Sequence, residues 1–118
     1  TPLQLSVMVS ALSNGGKVVV PQIPKTRAEK TNFRGFMKKQ IELPQESVQR
    51  VLPGMIGAVN YGTARRASDD SLTIAGKTGS CIGQGSWVGL FASVAPVVNP
   101  RLSIVVITRG SGERGKYA

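Results

Sequence analysis

Three β-prone runs crowd the second half of this 118-residue chain, and the short links between them constrain its fold more than any other feature. Leu72–Ser80, Ser86–Ala95 and Leu102–Thr108 are separated by turn-forming clusters, Cys81 to Gly85 and Pro96-Val97-Val98-Asn99-Pro100. A parallel crossover needs a dozen or more residues, so links this short demand antiparallel neighbours. The spacing predicts a three-stranded meander with the 86–95 strand in the middle. Trp87 and Phe91 lie four apart on that strand and share a face, which predicts core packing rather than ligand stacking.

Upstream the pattern changes to a helical period. Thr1-Pro2-Leu3-Gln4 combines a capping Thr, a Pro at the first helical position and a Gln placed to close a capping box. Leu5, Met8, Val9 and Leu12 then recur at three- and four-residue spacing, and Asn14-Gly15-Gly16 stops the helix. Lys17 to Val20 is a β-branched run closed by Pro21 and Pro24, which predicts an edge strand. The basic stretch Lys25 to Lys39 reads as a loop, with a short strand over Lys38 to Leu43. A second helix opens at Pro44-Gln45-Glu46 and carries Val48, Val51, Leu52, Met55, Ile56 and Val59 on its apolar face. Pro53-Gly54 inside it predicts a kink or two shorter helices. Asn60-Tyr61-Gly62 ends that element, and Thr63 to Ser71 makes a polar connection. At the far end, Gly110 to Gly115 reads as a loop and Lys116-Tyr117-Ala118 as the start of a further element, with Glu113 and Arg114 paired to each other or capping it.

Composition removes whole classes of chemistry. The chain has no histidine and a single cysteine, Cys81, so it can build neither a Ser-His-Asp or Cys-His centre nor a Cys-based metal site or internal disulfide. Asp69 and Asp70, adjacent and without partners, make a weak metal site, and no metal or cofactor is expected. No apolar run approaches the ~20 residues that span a bilayer. The first residues lack the layout of a secretion signal, so any export signal or membrane anchor is expected to lie outside this chain or not to exist.

Fifteen basic against six acidic residues give a net charge of +9, which favours anionic partners. The densest cluster, Lys25, Arg27, Lys30, Arg34, Lys38 and Lys39 against Glu29, has only Phe33 and Phe36 interleaved, and no nucleic-acid-binding motif accompanies it. It reads as a solvated face; the alternative is a basic module for nucleic acid or cell-wall polyanion. Arg65 and Arg66 likewise read as a solvated connection, with contact to anionic glycan as the alternative.

The segment with most chemistry is Gly76-Lys77-Thr78-Gly79-Ser80. Taken alone it reads as a polar turn, since all these residues are common in loops. If it is a border strand instead, backbone groups alternate sides with a period of two, so when 77 and 79 bond to the neighbour, 78 and 80 face outward and an extended peptide can add there. Lys77 then supplies a positive charge and Thr78 and Ser80 hydroxyl donors for a carboxylate. Gly79 admits a reacting acyl group close to the backbone, and the Ser80 N–H is a candidate oxyanion donor. Cys81 follows at the rim, either as a reactive thiol or as a small turn-lining side chain. The assembly can bind and polarise an acyl-D-amino acid but cannot attack it. No serine has a lysine three residues downstream, and no Ser-x-Asn or Tyr-x-Asn occurs.

At this point the chain resembles the C-terminal part of the transpeptidase domain of penicillin-binding proteins, of the class B, monofunctional type. Lys-Thr-Gly is an established motif of that enzyme group and of class A β-lactamases. The resemblance extends to Thr1-Pro2-Leu3-Gln4-Leu5 with Ala11 to Gly16, to Gly62-Thr63-Ala64-Arg65-Arg66-Ala67, to Ile74 through Ser80, to Trp87-Val88-Gly89 through Ala95-Pro96, and to Asn99-Pro100. Ser80 stands where the family usually has Thr, which keeps the hydroxyl.

The resemblance implies an α+β fold, an α/β-type sandwich in which helices pack on an antiparallel sheet. It also implies a peptidoglycan D,D-transpeptidase that cross-links stem peptides through a serine acyl-enzyme at the periplasmic or extracellular face of the membrane. Lys77, Thr78 and Ser80 would hold the carboxylate of the stem peptide or of a β-lactam, Gly79 would keep the strand accessible, and the Ser80 N–H would form half of the oxyanion hole. The family's Ser-x-x-Lys and Ser-x-Asn elements are missing from residues 1–118, so the chain is expected to be one section of such a domain. It is expected to be inactive by itself, to have the rest of the domain as its partner, and to self-associate if apolar faces are left bare.

Overall fold

The computed structural model describes residues 1–110; the readings made for the loop over 111–115, for Glu113 and Arg114, and for Lys116 to Ala118 lie outside them. The fold is α+β, with helices packed on antiparallel sheet. Helix α1 (Pro2–Ser13) begins with the capping box read from the sequence, the Thr1 hydroxyl accepting from Gln4 N–H and the Gln4 side chain returning to the Thr1 amine. It ends where Gly16 N–H bonds to Ala11 C=O, with Gly16 at φ +86°. Glycine is required there, because a methyl group would overlap the Ile41 carbonyl oxygen, which belongs to the segment that bonds back to Gly16.

The stretch that follows differs from its expected form. Strand β1 (Lys17–Val20) pairs antiparallel with β2 (Phe36–Gln40), and between them Arg27–Thr31 forms the short helix α2. The basic stretch is therefore not a loop throughout, and its strand begins two residues earlier than predicted and stops at Gln40. Thr26 and Glu29 form a second capping box, each accepting from the other's backbone N–H, which nucleates a helix too short to show a hydrophobic period.

Helix α3 (Gln45–Asn60) is one element with Pro53 inside it, so of the two expected forms the pair of shorter helices does not occur. Pro53 is exposed, whereas Leu52, Met55, Ile56 and Val59 press on the sheet, and that burial outweighs one missing backbone bond. A 3-10 turn at Arg65–Ala67 leads into the sheet.

The meander is as predicted. Strands β3 (Ala75–Gly83), β4 (Ser86–Ala95) and β5 (Leu102–Gly110) are ordered β3-β4-β5, antiparallel throughout. Strand β3 starts three residues later than expected and runs three further, so that Cys81 lies in the strand and the turn shrinks to Gln84-Gly85. Strand β5 runs two residues further than expected, and Gly110, read as the start of a loop, pairs with Trp87 in it. Both turn residues have positive φ, 50° and 75°, the signature of the tight hairpin turn whose twist matches its strands.

Residues opposite each other in the register share a face, as Ala75 does with Val94 and Ala92 with Val105. On that face they meet Leu5 and Val9 of α1 and Leu52, Met55 and Ile56 of α3 in the main core. On the other face Phe91 is buried against Val59 and Ala64, as expected of it, while Trp87 is half-buried. Leu102, Ile104 and Val106, on the same face, are exposed.

Candidate functional site

Lys77, Thr78, Gly79 and Ser80 are consecutive residues of β3, which pairs with β4 on one side and with no strand on the other among the described residues. Two independent observations fix which backbone groups face the open side. In a two-residue hairpin the bracketing residues form a hydrogen-bonded pair, here Gly83 and Ser86, and counting back by two makes Cys81, Gly79 and Lys77 the residues bonded to β4. That leaves residues 78 and 80 directed outward. The second observation is that Lys77 Nζ donates to Thr78 C=O at 2.6 Å, a carbonyl an ammonium can reach only if it points away from β4.

The side chains divide between the two faces. Gly76, Thr78 and Ser80 share the Phe91 face, since Thr78 lies opposite Phe91; Lys77, Gly79 and Cys81 share the α1–α3 face. The two hydroxyls therefore stand on one side of the sheet and the ammonium arises from the other. The ammonium reaches the strand's border, where Lys77 folds over the edge to donate to the Thr78 carbonyl. Lys77 and Ser80 are exposed, Thr78 and Gly79 half-buried. The tetrapeptide is an accessible extended border, not the polar turn that its composition alone suggests.

Gly76 explains why this border lies where it does. A methyl on it would sit 2.5 and 2.6 Å from the Phe91 ring, so the absence of a side chain lets Phe91 close over β3 and bury against α3 and the 3-10 turn. The same packing brings Thr63 to the site, a residue not singled out from the sequence. Its Oγ1 lies 2.9 Å from Thr78 Oγ1. The signal available for it was the Gly62-Thr63-Ala64 match, which marked a connection and not a contact.

The remaining candidates do not join the site. Arg65 and Arg66 are exposed on the 3-10 turn. The Ser71 hydroxyl and, secondarily, its N–H hold the Asp69 carboxyl below its usual range, which makes Asp69 a turn acceptor. No group of three metal-ligating side chains occurs among the described residues. Cys81 is a free, exposed thiol on the face away from the hydroxyls.

Known proteins share this arrangement of elements. The family model of the penicillin-binding protein transpeptidase domain matches residues 1–118. Among solved structures, the penicillin-binding protein PBP2 of Pseudomonas aeruginosa is 27% identical, with a TM-score of 0.71 over 98% of this chain and 26% of its own. The D,D-transpeptidase domain of a peptidoglycan glycosyltransferase from Eggerthella lenta is 24% identical, with a TM-score of 0.70 over 98% of this chain and 28% of that one. Penicillin-binding protein A from M. tuberculosis, solved as an imipenem acyl-enzyme, is 17% identical, with a TM-score of 0.68 over 92% and 25% of the two chains. This chain thus spans about a quarter of the length of these solved chains. No relative is found among curated proteins. A full-length family match and the shared fold around the Lys-Thr-Gly-Ser border strand together show that the chain belongs to the penicillin-binding protein transpeptidase domain family.

Proposed function

We propose that the β3 border is the carboxylate-binding and oxyanion-forming side of a peptidoglycan D,D-transpeptidase active site whose nucleophile lies outside these 118 residues. The observation that carries this reading is that Lys77, Thr78, Gly79 and Ser80 follow one another along an accessible border strand, with the Lys77 ammonium folded over its edge to the Thr78 carbonyl and the Thr78 and Ser80 hydroxyls on one face. An acyl-D-Ala-D-Ala terminus laid along that border would find hydroxyl donors and a cation for its carboxylate. Gly79 leaves room for the scissile carbonyl, and the Ser80 N–H supports the negative charge that develops on its oxygen. A β-lactam presents the same carboxylate and carbonyl pair.

Serine attack would come from a Ser-x-x-Lys element that this sequence does not contain. The reaction, its stem-peptide and β-lactam ligands, and a location at the outer face of the cytoplasmic membrane belong to the assembly of this section with the remainder of a transpeptidase domain. Two measurements test the reading. The chain alone should resist covalent labelling by a fluorescent penicillin. In an NMR titration with an acyl-D-Ala-D-Ala peptide, shifts should concentrate at residues 77–80 and weaken in Lys77→Ala. Covalent labelling of the isolated chain, or shifts that avoid β3, would overturn it.

A further inference from the structure

We propose that the excursion from Ile23 to Arg34, between β1 and β2, is a docking surface for a bilayer rich in anionic phospholipid. Every residue from Lys25 to Glu42 is exposed, so this segment contributes nothing to the core. It nevertheless carries large apolar side chains in water, with Ile23 85% and Phe33 50% exposed. Ile23 and Phe33 border one shallow concavity together with Lys25 and Arg34, which places two apolar side chains and two cations on the same face. Arg27 and Lys30 add charge from α2. The one carboxylate within residues 23–34, Glu29, borders the same concavity and accepts from the backbone N–H groups of Lys25 and Thr26, and so acts as the helix cap.

This mixture selects the partner. A duplex or an anionic wall polymer uses the cations but gains nothing from exposed Ile and Phe, and a single strand would stack a base on Phe33 but leave Ile23 in water. An anionic leaflet uses both: the apolar tips enter the boundary between headgroups and acyl chains, while the cations meet the surface potential, each worth roughly a fivefold gain in partition. The inference does not depend on the reading of the β3 border, because no residue is shared between the two.

The test is co-sedimentation of the 118-residue chain with vesicles of equal phosphatidylcholine and phosphatidylglycerol, with pure phosphatidylcholine vesicles and dextran sulfate in parallel. Binding is expected to the phosphatidylglycerol vesicles and not to pure phosphatidylcholine. The combined variant K25Q, R27Q, K30Q and R34Q should lose on the order of several hundredfold in partition. Ile23→Ser with Phe33→Ser should lose about tenfold or more while keeping wild-type binding to dextran sulfate. These positions are exposed, and circular dichroism verifies that each variant is folded. Wild-type vesicle binding by the Ile23/Phe33 variant would overturn the proposal in favour of a polyanion site. A change in its oligomeric state with vesicle binding intact would reassign the face to contact between copies, and no binding to phosphatidylglycerol vesicles would end the proposal outright.

Discussion

Replacing Thr63 by valine removes one hydroxyl at nearly constant shape, and its effect reports how the proton on Thr78 is committed. Thr78 has a single hydroxyl proton, and its oxygen lies 2.9 Å from that of Thr63. If Thr78 donates to a ligand carboxylate, the proton between the two threonines must belong to Thr63, so that Thr63 donates and Thr78 accepts. A donor chain of this kind also polarises the outer hydroxyl toward the ligand. Thr63→Val deletes the inner bond and leaves the half-buried Thr78 oxygen without that partner. That bond is present in the ligand-free chain too, so its own worth cancels between free and bound states; what the ligand loses is the polarisation, about 10–30% of a charged hydrogen bond of about 1.5–3 kcal/mol, or roughly 0.2–0.9 kcal/mol. At about 1.4 kcal/mol per decade, that weakens ligand binding roughly 1.4- to 4-fold.

The assay is an NMR titration of the 118-residue chain with an acyl-D-Ala-D-Ala peptide, against the same peptide ending in a carboxamide. Valine should weaken binding of the free acid and leave the carboxamide unaffected, while Thr63→Ser restores the acid. Thr63 is exposed, so the variant should unfold at nearly the wild-type denaturant concentration. Equal affinity of Thr63→Val and wild type for the free acid, or failure of serine to rescue, would refute the reasoning.

Two further outcomes follow from the packing and from the charges. Gly76→Ala drives a methyl to 2.5 Å from the buried Phe91 ring, which is enclosed by Val59 and Ala64 and cannot swing clear, so it should destabilise the fold by about 1–3 kcal/mol in a urea titration. An unchanged midpoint would show that β3 yields instead. The Glu29 carboxyl is held below its usual 4.5 by the Thr26 and then the Lys25 backbone N–H. A carboxyl whose folded pKa is depressed stabilises above the unfolded value and loses that contribution as pH falls through the folded one. The Lys25 and Thr26 amide resonances should therefore titrate with a midpoint under 4.5, and Glu29→Gln should abolish the transition; a midpoint at or above 4.5 would refute the cap.

Much of this molecule was legible as local signal. The capping box at Thr1 and Gln4, the stop at Gly15-Gly16 and the antiparallel order of the last three strands depend on contacts within a few residues or on loop length, and both are written in the chain. Where the elements differ from local preference, each difference has its own physical cause. Pro53 stays inside α3 because the apolar face on both sides of it is buried on the sheet. The 81–85 segment is strand nearly to its tip because a two-residue turn at Gln84-Gly85 suffices, so Cys81 and Ile82 pair with β4 despite glycine nearby. Helix α2 escaped notice because five residues are too few for periodicity, although its Thr26 and Glu29 capping pair stands in the sequence.

For the site, the sequence by itself determined which groups are present, a cation, two hydroxyls and a glycine in a row, and that residues 1–118 contain no Ser-x-x-Lys nucleophile. Those are matters of residue identity. Only the tertiary structure decided that the four residues lie on a border strand with no further strand beside it among the described residues, that the hydroxyls and the ammonium rise from opposite faces, that the ammonium folds over the edge to the Thr78 carbonyl, and that Thr63 reaches Thr78. Side-chain direction in a strand has a period of two, so placement follows from pairing register and from which edge stays open, and both are set by how Phe91 and the helices pack on the sheet.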